Sequence, residues 1–379
     1  MFFERILRLL ILGLCFLRYI FYGKANVFQK NPENFLIIPT GKLGDIVCIT
    51  PVFRAIRKKY PNGKIFAYGS LLNKQIIDNA GLFDEFIERK DFFNDLRKIR
   101  KININFACVT GSSFLDLSLV YLAGISLISA PIINKKKYIQ ETRPYKILAK
   151  FAVQKKFIPG KYMPRQYLTL LEPININSDN TEKHLGFTYS AEKKVKAFYE
   201  ENGIDLNRDF LVGITPSAGN KIKEWPTERF AKLADHIFRK HGAKIVVFGG
   251  KSEVERSRDM IQYMDKGTFF IDSTGVLNID ELKRAISLLG VFISSDTGPI
   301  YIAEAFGVAT VDIVGPVDEN DQPPVGEFNR IVKWEERKEP AMNALNARNY
   351  DYNDAKRQVE KITTQMVAEK ADELISIKK

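Results

Sequence analysis

One stretch of the sequence combines a strand end, a turn and a helix start in an order suited to binding phosphate. The apolar run from Leu288 to Ile293 is typical of a buried parallel strand, and Pro299 suits the beginning of a helix. Such a helix directs its unpaired N–H groups and positive dipole end towards the carboxyl ends of the strands, where a diphosphate can bind. An ordinary capped strand-turn-helix has the same pattern, so this stretch alone leaves both interpretations open.

Two further glycine-bearing turns follow predicted strands. The first contains Gly41, Lys42, Gly44 and Asp45. Its glycines let the backbone approach a ligand closely, but it lacks the Gly-Lys-Ser/Thr ending of a phosphate-binding Walker loop, which disfavours a kinase. The second places a Gly-Gly pair before Glu253, where dinucleotide-binding folds commonly have a carboxylate that accepts ribose hydroxyls. A solvated, helix-capping Glu253 is the alternative.

Alternating strands and amphipathic helices must position these turns, and they occur in both halves of the chain. The first half has predicted strands at 35–38, 64–69, 86–87 and 106–110, with a helix at 46–59. The second half has predicted strands at 210–214, 244–248, 269–271, 288–293 and 310–314, with helices at 226–240, 252–264 and 279–289. This alternation predicts an α/β protein with two doubly wound Rossmann-like domains facing a cleft.

The domain limits follow from changes in composition. Residues 171–186 include Pro173 and the polar residues Asn175, Asn177, Ser178, Asp179 and Asn180, and they are predicted to link the two domains. The predicted segments are an amphipathic helix at 1–30, an N-terminal Rossmann-like domain at 31–170, the linker at 171–186, a C-terminal Rossmann-like domain at 187–345 and a helical segment at 346–379.

Composition indicates an anionic partner and a reducing compartment. The 379 residues carry a net charge of +12, with basic residues crowded at 135–165. That region is expected to face an anionic partner or to be a solvated surface. The three cysteines are far apart, which suits the cytoplasm, and no His or Cys pair has metal-ligand spacing, so no metal site is predicted. The sequence shows no recognisable nucleic-acid-binding module. It also has no Gly-x-Gly-x-x-Gly motif after a predicted strand, which disfavours a nicotinamide oxidoreductase.

The N-terminus is apolar but interrupted. Arg8 and Arg18 leave Leu9 to Leu17 as the longest uncharged run, which is too short to span a bilayer. The pattern predicts an interfacial helix on the inner face of the inner membrane, held by its apolar face and by basic side chains on anionic lipid. A helix packed on its own domain or on a partner protein is the alternative.

Four local patterns, in order over roughly residues 35–320, resemble glycosyltransferase family 9, the heptosyltransferase family. They are its opening loop and first helix, its phosphate loop with a Trp-Pro helix start, its nucleoside loop and its diphosphate turn. The matching segments are Gly41 to Val47 with Thr50-Pro51 and Arg54 to Arg57, Ser217 to Gly219 with Lys223 to Phe230, Gly249 to Glu253, and Ser295 to Pro299 with Gly307-Val308 and Gly315-Pro316.

The resemblance implies a metal-independent enzyme of the two-domain GT-B fold, without a cofactor. It implies that the 31–170 domain lies on the acceptor side, with its basic region at 135–165 facing the acceptor, and that the 187–345 domain binds the nucleotide sugar. It implies an ADP-activated heptose as the nucleotide-sugar donor and an anionic glycolipid, the inner core of lipopolysaccharide, as the acceptor, with inversion at the anomeric carbon. The same fold acting on another nucleotide sugar or envelope glycan is one alternative. A non-catalytic nucleotide-sugar-binding module is another, but a protein without activity has no need to retain Asp45, Lys223 and Glu253 together.

Catalytic roles are carried over from the family to matching residues. Asp45 matches the proposed general base, which takes the proton that the acceptor hydroxyl loses as it attacks, although a helix N-cap would also suit it. Lys223 matches a lysine whose positive charge offsets the negative charge on the departing diphosphate. The nearby Lys221 is the alternative residue for this role. The loop residues expected near the acceptor are Gly41, Lys42 and Gly44.

The donor is expected to contact the second domain through hydroxyls, one carboxylate and backbone N–H groups. The carboxylate of Asp296 cannot itself attract phosphate and is expected to cap the helix or to contact a sugar hydroxyl. Two segments depart from the family pattern on the acceptor side, Pro39-Thr40 and Val109 to Ser112, which leaves the acceptor open. The residues expected to bind the donor are Thr215, Ser217, Glu253, Asp296, Thr297 and Gly298.

Overall fold

A computed structural model describes residues 2–27, 32–133, 141–343, 345 and 350–379. The chain divides into two compact units, residues 1–182 and 183–379, and each is described by itself below. The predicted domain limits stay predictions. Three basic residues of the predicted acceptor-facing region, Lys135, Lys136 and Lys137, lie outside the described residues.

The first unit is built on a six-stranded parallel sheet with the order β3-β2-β1-β4-β5-β6. Chain order reverses between β1 and β4, and in doubly wound sheets ligands bind at the carboxyl ends of the strands beside this switch point. This parallel sheet, with helices in its connections, confirms the predicted α/β fold class. Its strands are β1 (Asn34–Ile38), β2 (Lys64–Gly69), β3 (Glu85–Glu88), β4 (Phe106–Val109), β5 (Leu127–Ile132) and β6 (Val153–Lys156).

Seven described helices accompany this sheet. The second begins at Leu43, three residues before the predicted start, because the Asp45 carboxylate accepts a hydrogen bond from the Lys42 backbone N–H and supports an earlier first turn. The helices are α1 (Phe2–Tyr22), α2 (Leu43–Lys59), α3 (Leu71–Ile77), α4 (Phe92–Lys101), α5 (Phe114–Leu122), α6 (Arg143–Ala149) and α7 (Met163–Thr169).

Helix α1 has one face packed on the first unit and one face exposed. Ile11 and Cys15 are fully buried, and the Tyr19 ring stacks on Phe151 with centroids 4.3 Å apart. The guanidinium of Arg18 lies 4.3 Å from the centroid of the Tyr121 ring. The opposite face exposes large apolar side chains, among them Leu9, Leu10, Leu17, Ile20 and Phe21. No helix in the described part of the chain is long and apolar enough to cross a membrane.

The second unit repeats the topology of the first, with a six-stranded parallel sheet in the order β12-β11-β10-β7-β8-β9 and a switch point between β7 and β10. The predicted strand at 288–293 is displaced, since β10 extends through Ser294 and Ser295. Gly290, just before β10, packs so tightly that an added Cβ would lie within 2.7 Å of the Phe210 ring. The strands are β7 (Leu211–Thr215), β8 (Lys244–Val247), β9 (Phe270–Asp272), β10 (Val291–Ser295), β11 (Ala309–Ile313) and β12 (Asn329–Val332).

The helices of the second unit include two at its C-terminal end that close its core. The fully buried Trp225 donates its indole N–H to the Ile362 carbonyl oxygen at 2.8 Å, which ties the turn between these two helices to the site region. The described helices are α8 (Tyr189–Glu201), α9 (Thr227–His241), α10 (Val254–Ile261), α11 (Ile279–Ser287), α12 (Gly298–Ala305), α13 (Tyr352–Glu360) and α14 (Thr364–Lys378).

Candidate active site

The loop after β1 holds Asp45 in a constrained position. The Asp45 carboxylate accepts the Lys42 N–H at 2.8 Å, and Asp45 is the third residue of α2 rather than its N-cap. Gly41 has a φ of +131°, and an added Cβ would lie 2.7 Å from Asp45 Cγ. Gly44, buried in the first turn of α2, completes the loop. The N-cap interpretation of Asp45 is therefore wrong as to position, although the carboxylate does support the helix start.

Helix α7 contributes a neighbour to Asp45. Burial raises the pKa of the Tyr167 phenol well above its ordinary value, and the negative charge of Asp45 raises it further. Tyr167 is therefore a neutral phenol near this carboxylate at physiological pH. A carboxylate that is fixed by a backbone N–H at the carboxyl end of β1 is suited to accept a proton from a bound hydroxyl.

The two segments that depart from the family pattern are in contact. The Thr40 backbone N–H donates to Thr110 Oγ1 at 3.0 Å, and Thr110 Oγ1 donates to the Ile38 carbonyl oxygen at 3.1 Å. An added Cβ on Gly111 would lie 2.7 Å from the Thr40 Cβ. The loops after β1 and β4, on either side of the switch point, therefore pack as one surface.

In the second unit, Lys223 is fixed beside the turn after β10. Its ammonium nitrogen donates to the Asp296 carbonyl oxygen and to Asp296 Oδ2, both at 2.7 Å. The Tyr301 hydroxyl lies 2.7 Å from Asp296 Oδ1. Both members of the ion pair are largely buried, at 19% and 15% side-chain exposure. Lys221, the alternative residue for stabilising the departing diphosphate, is exposed at the start of the short 3-10 helix that ends at Lys223.

Helix α12 begins directly after this ion pair. Thr297 is its N-cap residue, and no side chain caps the helix, so the expectation that Asp296 caps it is wrong. The reason is that both carboxylate oxygens of Asp296 already have other partners, Lys223 and Tyr301. Gly298 is the first helical residue, and Pro299 is the second rather than the first. The helix N-terminus therefore presents N–H groups at the carboxyl end of the sheet, where an anion can bind.

The remaining donor-side residues are split between two strand ends. Thr215 ends β7 and Ser217 follows it; both are 2% exposed, and neither hydroxyl oxygen has a hydrogen-bond partner in the structure. Glu253 lies after β8 and accepts the Gly250 N–H at 2.6 Å, which agrees with the helix-capping alternative. Ribose binding by the second oxygen of Glu253 stays a prediction. Among the described residues, no group of three or more His, Cys, Asp or Glu could hold a metal ion.

Two buried acids near α12 were missed by sequence reasoning. Glu304 pairs with Lys183 at 2.6 Å, and Asp312 is the fourth of the five residues of the mostly apolar strand β11, at 1% exposure. Burial raises the pKa of Asp312 well above its ordinary value, the charge of Asp296 adds to this, and Lys223 opposes it. An acid within an otherwise apolar strand was the available signal for Asp312. For the pair of Lys183 and Glu304 there was none, because they are far apart in sequence.

Two doubly wound parallel sheets, each with polar residues at its switch point, define an α/β protein of the GT-B class. The family model of glycosyltransferase family 9 (heptosyltransferase) matches residues 124–350. The chain belongs to glycosyltransferase family 9 and is a glycosyltransferase, which confirms the resemblance found in its motifs.

Individual relatives agree with this assignment. The chain is 25% identical to lipooligosaccharide heptosyltransferase 2 of Campylobacter jejuni over 288 residues, which cover 74% of this chain and 81% of that protein. A family 9 glycosyltransferase structure from Veillonella parvula has a TM-score of 0.76 at 19% identity, covering 93% of this chain and all of that one. The E. coli ADP-heptose lipopolysaccharide heptosyltransferase II has a TM-score of 0.72 at 16% identity, covering 91% and 99%.

Proposed function

We propose that this protein transfers a heptose from an ADP-activated donor to the inner core of lipopolysaccharide, with inversion at the anomeric carbon. The observation that carries the proposal is the buried ion pair of Lys223 and Asp296 at the N-terminus of α12. The names of the relatives support the sugar, since the E. coli structure is that of an ADP-heptose enzyme and the Campylobacter relative is a lipooligosaccharide heptosyltransferase.

The donor diphosphate would bind at the α12 N-terminus. The N–H groups there and the ammonium of Lys223 offset negative charge, and their effect grows as charge builds on the departing diphosphate. The hydroxyls of Thr215 and Ser217 need a hydrogen-bond partner, and phosphate oxygens would provide one. In this arrangement Asp296 orients Lys223 and does not contact phosphate. Glu253, after β8, would accept the ribose hydroxyls, with no cofactor or metal required.

Asp45 would act as the general base. In an inverting transfer the acceptor hydroxyl attacks the anomeric carbon in one displacement, and it must lose its proton as the new bond forms. The hydrogen bond from the Lys42 N–H fixes the carboxylate, so the general base is already in position before the reaction begins. The acceptor would lie on the surface formed by Gly41, Lys42 and Gly44.

The exposed face of α1 would hold the enzyme on the inner face of the inner membrane. Helix α1 exposes Leu10, Ile20 and Phe21 at 62%, 73% and 77%, and the chain carries a net charge of +12 that favours anionic lipid. Changing these three residues to Ser should abolish co-sedimentation with anionic vesicles while keeping the packed face of α1 intact. Changing the exposed Leu71 and Leu72 of α3 to Ser is the control and should leave co-sedimentation unchanged.

The function is tested by thermal stabilisation and by turnover. ADP without magnesium should raise the melting temperature, because a ligand that binds only the folded state stabilises it. Lys223→Met should remove most of this shift and lower kcat by about 10²–10³-fold, whereas Lys221→Met should change neither greatly. Asp45→Asn should keep the ADP shift and lose about 10²–10⁴-fold in kcat.

The other possible results separate the alternatives. A shift with UDP or GDP in place of ADP would keep the transferase class but change the sugar. Binding of ADP-heptose without turnover on any lipopolysaccharide-core acceptor would favour a non-catalytic nucleotide-sugar-binding module. Equal losses in the two lysine variants would contradict the role given to Lys223.

A further inference from the structure

Three polar side chains form a row across the centre of the second sheet. Ser294 of β10 pairs directly with Thr215 of β7 on one side and with Asp312 of β11 on the other. Directly paired residues of neighbouring parallel strands point to the same face of a sheet, and neighbouring strands lie about 4.8 Å apart. The three side chains are therefore neighbours on one face, near the carboxyl ends of their strands.

The row is buried and incompletely hydrogen-bonded. Thr215, Ser294 and Asp312 are 2%, 0% and 1% exposed. Each has one side-chain oxygen without a partner in the structure: Thr215 Oγ1, Ser294 Oγ and Asp312 Oδ1. Buried polar atoms are nearly always hydrogen-bonded, and a small side-chain adjustment can join neighbours at this spacing. A carboxylate can only accept hydrogen bonds, whereas a carboxylic acid can also donate one.

The charges that face Asp312 are already paired with one another. They are Asp296 after β10 with its partner Lys223, and Glu304 of α12, whose partner Lys183 precedes α8. Two cations balance two anions, so an ionised Asp312 would be a third negative charge without a cation of its own. Burial, the largest cause, also favours the neutral form.

We propose that Asp312 is a positioning residue of the donor site, held as a neutral acid that donates a hydrogen bond to Ser294. The inference rests on the proposed donor site at α12. A neutral Asp312 leaves the charge of Lys223 shared only with Asp296 and the incoming diphosphate. The hydrogen-bonded row then fixes the ends of β7 and β10, from which Thr215 and Asp296 extend. Ionisation of Asp312 at alkaline pH adds a negative charge beside this pair and weakens diphosphate binding.

The first test measures unfolding of the nucleotide-free protein against pH. As pH rises above the ordinary pKa of a carboxyl group, wild type should lose about tenfold in its folded-to-unfolded ratio per pH unit relative to Asp312→Asn, because the folded state keeps a proton that the unfolded state releases. Asp209→Asn is the matched control, since the pKa of Asp209 is lowered rather than raised and its hydrogen-bond donors are Lys244 and the Asp205 N–H rather than histidines. The stability of wild type relative to this control variant should not fall as pH rises over the same range. An equal pH dependence of wild type and Asp312→Asn would overturn the inference.

Infrared spectroscopy of wild type provides a second test that needs no variant to fold. A carbonyl band of a protonated carboxylic acid should persist at about pH 7 and shift in Ser294→Ala, which lacks the proposed acceptor. The absence of such a band in wild type would also overturn the inference. Glu304, whose pKa burial also raises, is distinguished because its band would not respond to Ser294→Ala.

Donor binding connects the row to function. The donor KM and the ADP dissociation constant of wild type should rise at alkaline pH, with Asp312→Asn nearly independent of pH and kcat similar in both. Asp312→Leu, which cannot donate, should raise the donor KM about tenfold at every pH. If wild type binds no ADP but the unfolding and infrared experiments give the expected results, the proposed function is contradicted, whereas the neutral state of Asp312 is supported. If ADP binds and its affinity has the same pH dependence in wild type and Asp312→Asn, the positioning role fails.

Discussion

Gly41→Ala should damage catalysis through Asp45 without affecting the donor site. Gly41 has a φ of +131°, a conformation that costs a residue with a side chain about 1–3 kcal/mol. In addition, the new Cβ would lie 2.7 Å from Asp45 Cγ, closer than unbonded carbon atoms approach. The three atoms nearest to the added Cβ all belong to the short side chain of Asp45, so the carboxylate must move.

The size of the effect follows from the role of the carboxylate. A displacement of about 1 Å in a catalytic group can cost about 10²-fold, and complete loss of a general base costs about 10²–10⁴-fold. We expect Gly41→Ala to lower kcat by about 10²-fold, a barrier increase of about 2.7 kcal/mol. The effect should not add to that of Asp45→Asn, because both variants disable the same group.

The matched control is Gly124→Ala, in the same unit. Gly124 has a φ of +91°, and nothing lies within 4 Å of its added Cβ. It therefore has the strained backbone without the collision. Steady-state kinetics with saturating donor and the ADP-induced thermal shift are measured for both variants. Both should keep the ADP shift, since the donor residues belong to the other unit. A kcat within threefold of wild type in Gly41→Ala, or an equal loss in the two variants, would refute the reasoning.

Two further predictions concern buried charges. Lys183→Met leaves Glu304 buried without its cation and should cost about 3–5 kcal/mol at pH 8, lowering the melting temperature by about 10 °C. Burial raises the pKa of Glu304 and Lys183 opposes it, so the deficit should shrink towards pH 5 as Glu304 takes up a proton; a deficit independent of pH would contradict this. Asp372 accepts hydrogen bonds from Lys240, His241 and His236, which outweigh burial and lower its pKa to about 2. Asp372→Asn should therefore lose about 1.5–3 kcal/mol at pH 7, and the difference from wild type should vanish as pH falls from about 4 to 2; urea unfolding at several pH values measures it.

The fold could be predicted from the sequence because its signals are local. The apolar strands of both sheets, the helix periodicity and the glycine-bearing turns identify two doubly wound sheets without knowledge of any distant contact. Errors occurred where a tertiary contact overrides composition. Ser294 and Ser295 look like turn residues but continue β10, since both are buried between paired strands. Helix α2 begins before its predicted start because the Asp45 carboxylate accepts a hydrogen bond from the Lys42 backbone N–H.

The candidate site could be predicted only as far as its residues lie within motifs. Lys223 and Asp296 were each identified, but their ion pair was not, because it joins residues 73 positions apart. Its existence changes the role of Asp296 from a helix cap to the partner of the lysine. Asp312 stands in no motif, and its significance appears only when the strand register places it beside Ser294.

The acceptor is the part of the proposed reaction that the motifs leave open, and the two segments that depart from the family pattern are in contact with each other. The two departures from the family pattern are about 70 residues apart, yet Thr40 bonds to Thr110 and occupies the space left by the missing side chain of Gly111. A larger residue at position 111 would collide with Thr40, so these two positions cannot vary independently. They flank the switch point of the first sheet, beside the loop that holds Asp45. Under the proposed function, in which these loops contact the acceptor, a change of acceptor requires coordinated replacement on both loops, and variants that exchange one loop alone are expected to lose packing before they alter specificity.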